Sequence, residues 1–161
     1  MTKAVDITPV KSQADLDAVA SLFQAYAASL SVDLAYQNFD QELAGLPGAY
    51  EPPGGELFIA RSASGTALGC VALRLLQGDG EGAGEMKRLF LTPAARGRGV
   101  GRALTQAVID KATDLGCREL RLDTLPDMTA AIGLYEAMGF SRIDPYYAPT
   151  PPGTVFMALT L

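Results

Sequence analysis

Residues 85–102 read EMKRLFLTPAARGRGVGR. Glu85 to Leu91 has the composition of a β-strand, Thr92 to Gly99 that of a turn, and a helix follows from Val100 to Leu115. Val100, Leu104, Ala107, Val108, Ala112 and Leu115 share one side of that helix, and Gly116 ends it as a C-cap residue. The glycines at 97, 99 and 101 stand where the first amides of a helix point outward without partners, so a ligand's oxygens can approach them closely. This is the pattern of an anion cradle. Lys87, Arg88, Arg96, Arg98 and Arg102 place five of the thirteen basic residues of the chain in this stretch, which implies a local partner with several phosphates. The competing reading is a solvated basic turn whose glycines only cap a helix.

Two common phosphate motifs fail on spacing. The dinucleotide fingerprint GxGxxG needs glycine where Arg102 or Leu104 stands, and the Walker A dipeptide Gly-Lys is absent from the chain. The glycine-rich run Gly78 to Gly84, GDGEGAG, carries Asp79 and Glu81, which repel phosphate, and reads as a hairpin connection.

Outward from the centre, Ala4 to Val10 reads as a strand. Ser12 followed by Asp15 marks a helix start, and Leu16, Val19, Ala20, Phe23, Ala27 and Leu30 give that helix one apolar face. A short helix is expected over Asn38 to Ala44, then a loop through EPPGG, then a hairpin from LFIARS and ALGCVALRLL. On the C-terminal side, Cys117 to Thr124 is a strand and Met128 to Met138 a helix closed by Gly139. Phe140 to Ile143 and Val155 to Leu161 are the last strands. The 161 residues fit one domain, 1–161, with no internal repeat and no linker.

Composition excludes several functions. Thirteen Lys and Arg against eighteen Asp and Glu give a net charge of −5, which disfavours broad nucleic-acid binding. With no histidine, Ser-His and Cys-His dyads and His-ligated metal sites are ruled out, and no metal is expected. Cys70 and Cys117 form no CxxC pair, which fits a reduced, cytoplasmic setting. The N-terminus lacks the apolar core of a secretory signal and no run is long enough for a membrane helix, so no membrane association is expected.

Arg96, Gly99 and Gly101 satisfy the pattern Arg or Gln, two residues, Gly, one residue, Gly or Ala. With EMKRLFLTP, RELRLDT and AAIGLYEAMGF in the right order, the chain resembles the GNAT superfamily of acetyl-CoA-dependent N-acyltransferases. The likeness runs from Glu85 to about Arg142, and the ending DPYYAPTPPGTVFMAL is similar to uncharacterised bacterial members. It implies an α/β (α+β) fold: a mixed, twisted, mostly antiparallel sheet of six or seven strands with about four flanking helices, splayed between the fourth and fifth strands. Acetyl-CoA would lie in the split as co-substrate. Its pyrophosphate would meet the loop Arg96, Gly97, Arg98, Gly99, Val100, Gly101 and Arg102, and its pantetheine arm the backbone of Leu89, Phe90 and Leu91. Family members often carry Asn where this chain has Met128.

The implied reaction is direct attack of a primary amine, of a small molecule or peptide, on the acetyl thioester. An ammonium of pKa about 10.4 must first lose a proton. Glu85, eleven residues before Arg96, is the expected base, and Tyr135 the expected proton donor to the departing thiolate. Backbone amides near Leu89 would polarise the acetyl carbonyl. Tyr26, Tyr36, Tyr146 and Tyr147 are candidate walls of the amine pocket. Asp33, Glu42, Asp123 and Asp144 are candidate cation attractors, and the acidic surface favours a cationic acceptor. The resemblance leaves a homodimer open. A CoA sensor without transfer, or another phosphate-ligand domain, are the competing functions.

Overall fold

The computed structural model describes residues 5–161, and of Tyr36 the backbone alone. Seven strands form one sheet: β1 (Val5–Pro9), β2 (Gly55–Ser62), β3 (Ala67–Leu75), β4 (Ala83–Leu91), β5 (Glu119–Thr124), β6 (Ser141–Ile143) and β7 (Val155–Thr160), in the order β1-β2-β3-β4-β5-β7-β6. Every neighbouring pair is antiparallel except β4 and β5. The expected first strand is found from Val5; Ala4 lies outside the described residues.

Four α-helices flank the sheet: α1 (Gln13–Ser29), α2 (Phe39–Ala44), α3 (Val100–Asp114) and α4 (Thr129–Ala137). The Ser12 hydroxyl caps α1 by accepting from the Asp15 amide at 3.1 Å. Gly116 and Gly139 follow α3 and α4 at φ of +83° and +101°, the left-handed conformation that glycine adopts without a Cβ penalty. Met128 stands at the N-cap of α4 and supplies no side-chain hydrogen bond there.

Two apolar clusters separate the faces. On one, Leu73, Met86, Leu120, Leu122 and Met157 pack with Leu104 and Val108 of α3 and Tyr135 of α4. On the other, Leu57, Ile59, Cys70 and Ala72 pack with Val19 and Phe23 of α1 and Phe39 of α2. Alternation along β4 therefore sends Met86 to one face and leaves Glu85 and Lys87 for the other.

Two features of β4 shape the molecule. It pairs with β5 through only three residues, Ala83 to Glu85 opposite Glu119 to Arg121, after which the strands part. From Met86 to Leu91 its β5-side edge has no strand partner among the described residues. On its other edge the register slips: Cys70 faces Phe90 and Ala72 faces Lys87, so β4 carries one extra residue. The bulge is centred on Arg88, at φ +62°. A non-glycine residue in this region costs about 1–2 kcal/mol. The Arg88 guanidinium is held by the Glu42 carboxylate of α2 at 2.9 and 3.1 Å and lies over the Phe39 ring, 5.2 Å from its centroid.

Candidate active site

The parting of β4 and β5 opens a cleft walled by Tyr26, Leu34, Gln37, Lys87, Asp123 and Leu125, among others. The glycine loop follows β4 and opens α3. Gly97 and Gly99 adopt φ of +76° and +75°, and a Cβ on either would meet nothing within 4 Å, so backbone conformation rather than space requires glycine. Gly99 is the N-cap of α3 and no side chain caps the helix. The first backbone bond into α3 runs from the Ala103 amide to the Gly99 carbonyl at 3.1 Å, which leaves the preceding amides for a ligand. Arg98 Nη2 and Thr92 Oγ1 are buried without a hydrogen-bond partner among the described residues. Orphaned donors of this kind mark a place where a polar ligand belongs.

Two of the five basic residues leave this cradle. Arg88 is neutralised by Glu42 of α2, and Lys87 and Arg88 both line the cleft. The basic residues that stay with the glycine loop are Arg96, Arg98 and Arg102. The sequence cluster joined two places in the fold: Lys87 and Arg88 lie on β4 at the cleft, and Arg96, Arg98 and Arg102 lie in and after the glycine loop.

Glu85 is 1% exposed and both its oxygens are engaged. Arg74 Nε donates to Oε1 at 2.8 Å, the Tyr146 hydroxyl donates to Oε2 at 2.7 Å, and Lys87 Nζ stands 3.8 Å from Oε1. Burial alone would raise its pKa, but Lys87, Arg74 and the Tyr146 hydrogen bond together outweigh burial and hold it below the ordinary carboxylate range. The carboxylate is ionised at neutral pH, with Tyr146 as its one short hydroxyl neighbour. Tyr146 packs edge-on against Phe156 and lies beneath the Arg121 guanidinium.

Tyr135 of α4 is buried, its ring 5.6 Å from that of Phe140. Burial, and then Tyr26 and Asp123, push its phenol well above the usual value, so it holds its proton across the physiological range. Across the cleft, Asp123 Oδ2 accepts from the Tyr147 hydroxyl at 2.7 Å, and Gln37 Nε2 reaches Tyr147 at 2.9 Å.

The expected acceptor residues divide accordingly. Tyr26 and Asp123 line the cleft, Tyr147 donates to Asp123, and Tyr146 packs on Tyr147 and donates to Glu85. Asp33 caps a one-turn helix by accepting from the Ala35 amide, Glu42 is spent on Arg88, and Asp144 is exposed. The side chain of Tyr36 lies outside the described residues. Gln37 and Arg74 escaped sequence reasoning: they act through partners 11 to 110 positions away, and nothing local marks them.

A family model described as the acetyltransferase (GNAT) family matches residues 17–140. The chain belongs to the GNAT acetyltransferase family. An uncharacterized N-acetyltransferase of Schizosaccharomyces pombe is 40% identical over 157 residues, covering 98% of this GNAT chain and 95% of its own. The uncharacterized N-acetyltransferase YjgM of Escherichia coli is 28% identical over 132 residues, covering 81% and 78%. A solved GNAT acetyltransferase of Staphylococcus aureus shares the fold at a TM-score of 0.80 and 17% identity, over 98% of this chain and 99% of its own. A structure from Salmonella typhimurium, named an acetyltransferase with its cofactor acetyl-CoA, shares it at 0.76 and 20%, over 98% and 94%. This GNAT protein is an acyltransferase, and its relatives are fungal as well as bacterial, so its ending assigns no source.

Proposed function

We propose that this GNAT protein moves the acetyl group of acetyl-CoA to a primary amine of a small molecule or peptide by direct attack. The observation that carries the reading is the edge of β4 beyond Glu85, which pairs with no strand among the described residues, followed by a glycine-capped helix start without a side-chain cap and by Arg98 Nη2, buried without a partner among the described residues. When bound, acetyl-CoA supplies the activated thioester. The amides of Arg98 to Gly101, with Arg96 and Arg102, hold its pyrophosphate. Leu89 to Leu91 offer main-chain groups to its extended arm in the manner of an added strand. Amides near Leu89, beside the bulge at Arg88, would stabilise negative charge on the acetyl carbonyl oxygen.

Glu85 is the proton acceptor. Both its oxygens are occupied, so the proton reaches it through the Tyr146 hydroxyl: Tyr146 accepts from the amine nitrogen as it passes its own proton to Oε2. Tyr135, protonated at neutral pH, donates to the thiolate that leaves. The free thiols of Cys70 and Cys117 support a reduced, cytoplasmic setting. The test is release of free thiol from acetyl-CoA over a broad amine panel, with mass-spectrometric detection of N-acetyl product. Turnover of at least one amine is expected; a folded, CoA-binding sample that acetylates none contradicts the proposal.

A further inference from the structure

The net acidity of the chain favours a cationic acceptor, but the charges around the cleft select differently. Most are answered within the protein: Arg74 by Glu85, Arg88 by Glu42, and Arg121 by Glu119. Two are answered less fully: Lys87 on β4 shares Glu85 with Arg74, and Asp123 on β5 has no ion pair among the described residues. The Lys87 side chain is 9% exposed, yet its nearest acceptors are distant: Gln37 Oε1 at 3.5 Å, and Glu85 Oε1 at 3.8 Å, the same oxygen that Arg74 holds at 2.8 Å. An ammonium has three donors, and this one makes no short bond to a carboxylate among the described residues. Among the described residues both hydrogen bonds to Asp123 fall on Oδ2, from Tyr147 at 2.7 Å and Gln37 at 3.5 Å. Lys87 and Asp123 line the same cleft on strands that have parted, and make no ion pair with each other among the described residues.

A buried cation with spare donors beside a carboxylate with a spare oxygen is complementary to a ligand carrying both charges. We infer that the acceptor is a zwitterionic primary amine, an amino acid or a small derivative with a free carboxylate, whose carboxylate is bound by Lys87 and whose amine is steered by Asp123. This rests on the transferase reading of the same cleft. It places the carboxylate beside the residue that precedes the bulge, and so the amine close to the amides that would face the acetyl carbonyl. The same Lys87 repels polyamines and basic peptide ends, which bring a second cation with nothing to pair it.

The test compares matched acceptors, each amino acid against its C-terminal amide and its decarboxylated amine, by kcat/KM for thiol release. The free carboxylate is expected to be preferred by about ten- to a hundredfold, the range of one charge-assisted hydrogen bond. Lys87→Met should erase the preference mainly through KM, with CoA affinity unchanged as evidence of folding, and Lys87→Arg should restore part of it. Equal use of acid and amide, or faster use of polyamines, overturns the inference while leaving the transferase reading intact. Failure to acetylate any amine by a protein that binds CoA overturns both. Should Lys87→Met not fold, the matched pairs on the unaltered enzyme decide the question alone.

Discussion

Replacing Glu85 by Gln keeps the shape of a 1% exposed side chain and removes its charge, leaving Arg74 and Lys87 without their counterion. A cost of about 1–3 kcal/mol is expected at pH 7, the range for a buried hydrogen-bonded group losing a charged partner. The sign with pH follows from a folded pKa lying below the unfolded value of about 4.3. The ionised group stabilises the fold above the unfolded value, and that contribution is lost as pH falls through the folded one. Urea denaturation should therefore show wild type and Glu85→Gln separated at neutral pH and converging below about pH 4. The variant should also lose about a hundredfold or more in kcat if Glu85 accepts the proton. Tyr135→Phe leaves the ring against Phe140. It should hold CoA as tightly as wild type while single-turnover thiol release slows by about tenfold or more. Unchanged rates in both variants would remove these two roles.

At the scale of elements, the strand, glycine loop and helix from Glu85 to Leu115 could be read locally, because apolar spacing, glycine position and helix punctuation are properties of neighbouring residues. The bulge could not. It is a register shift between β3 and β4, fixed by Arg88 pairing with a residue 46 positions earlier. The cleft was half legible for the same reason: Tyr135 and the loop lie in short, ordered motifs, whereas the bonds among Gln37, Asp123 and Tyr147 span up to 110 positions. The loop makes its own prediction. Gly99→Ala places a side chain at φ +75°, a strain of about 1–2 kcal/mol that should raise the CoA dissociation constant about tenfold by calorimetry. Gly101→Ala meets only Leu134 and Leu91 at 3.4 Å, and should change affinity and stability far less. Equal effects at both positions would show that conformation at Gly99 is not what shapes the cradle.

For the molecule as a whole, net charge speaks to long-range steering, whereas the inference about the acceptor rests on the residues that line the cleft. Seven strands in one mixed sheet, divided where β4 and β5 part, make the fold itself the device that exposes main-chain groups to a ligand. A ligand held there stabilises the folded state by about 2.7 kcal/mol at a hundred times its dissociation constant. For a domain of this size that is a rise of roughly 5–10 °C in Tm, expected for CoA and acetyl-CoA and not for ATP or NAD. The most direct measurement is a backbone-amide NMR titration with CoA. Saturable shifts concentrated at 97–102 and along 86–91 are predicted, and shifts confined to other regions, or none at millimolar CoA, would contradict the assignment of the split as the cofactor site.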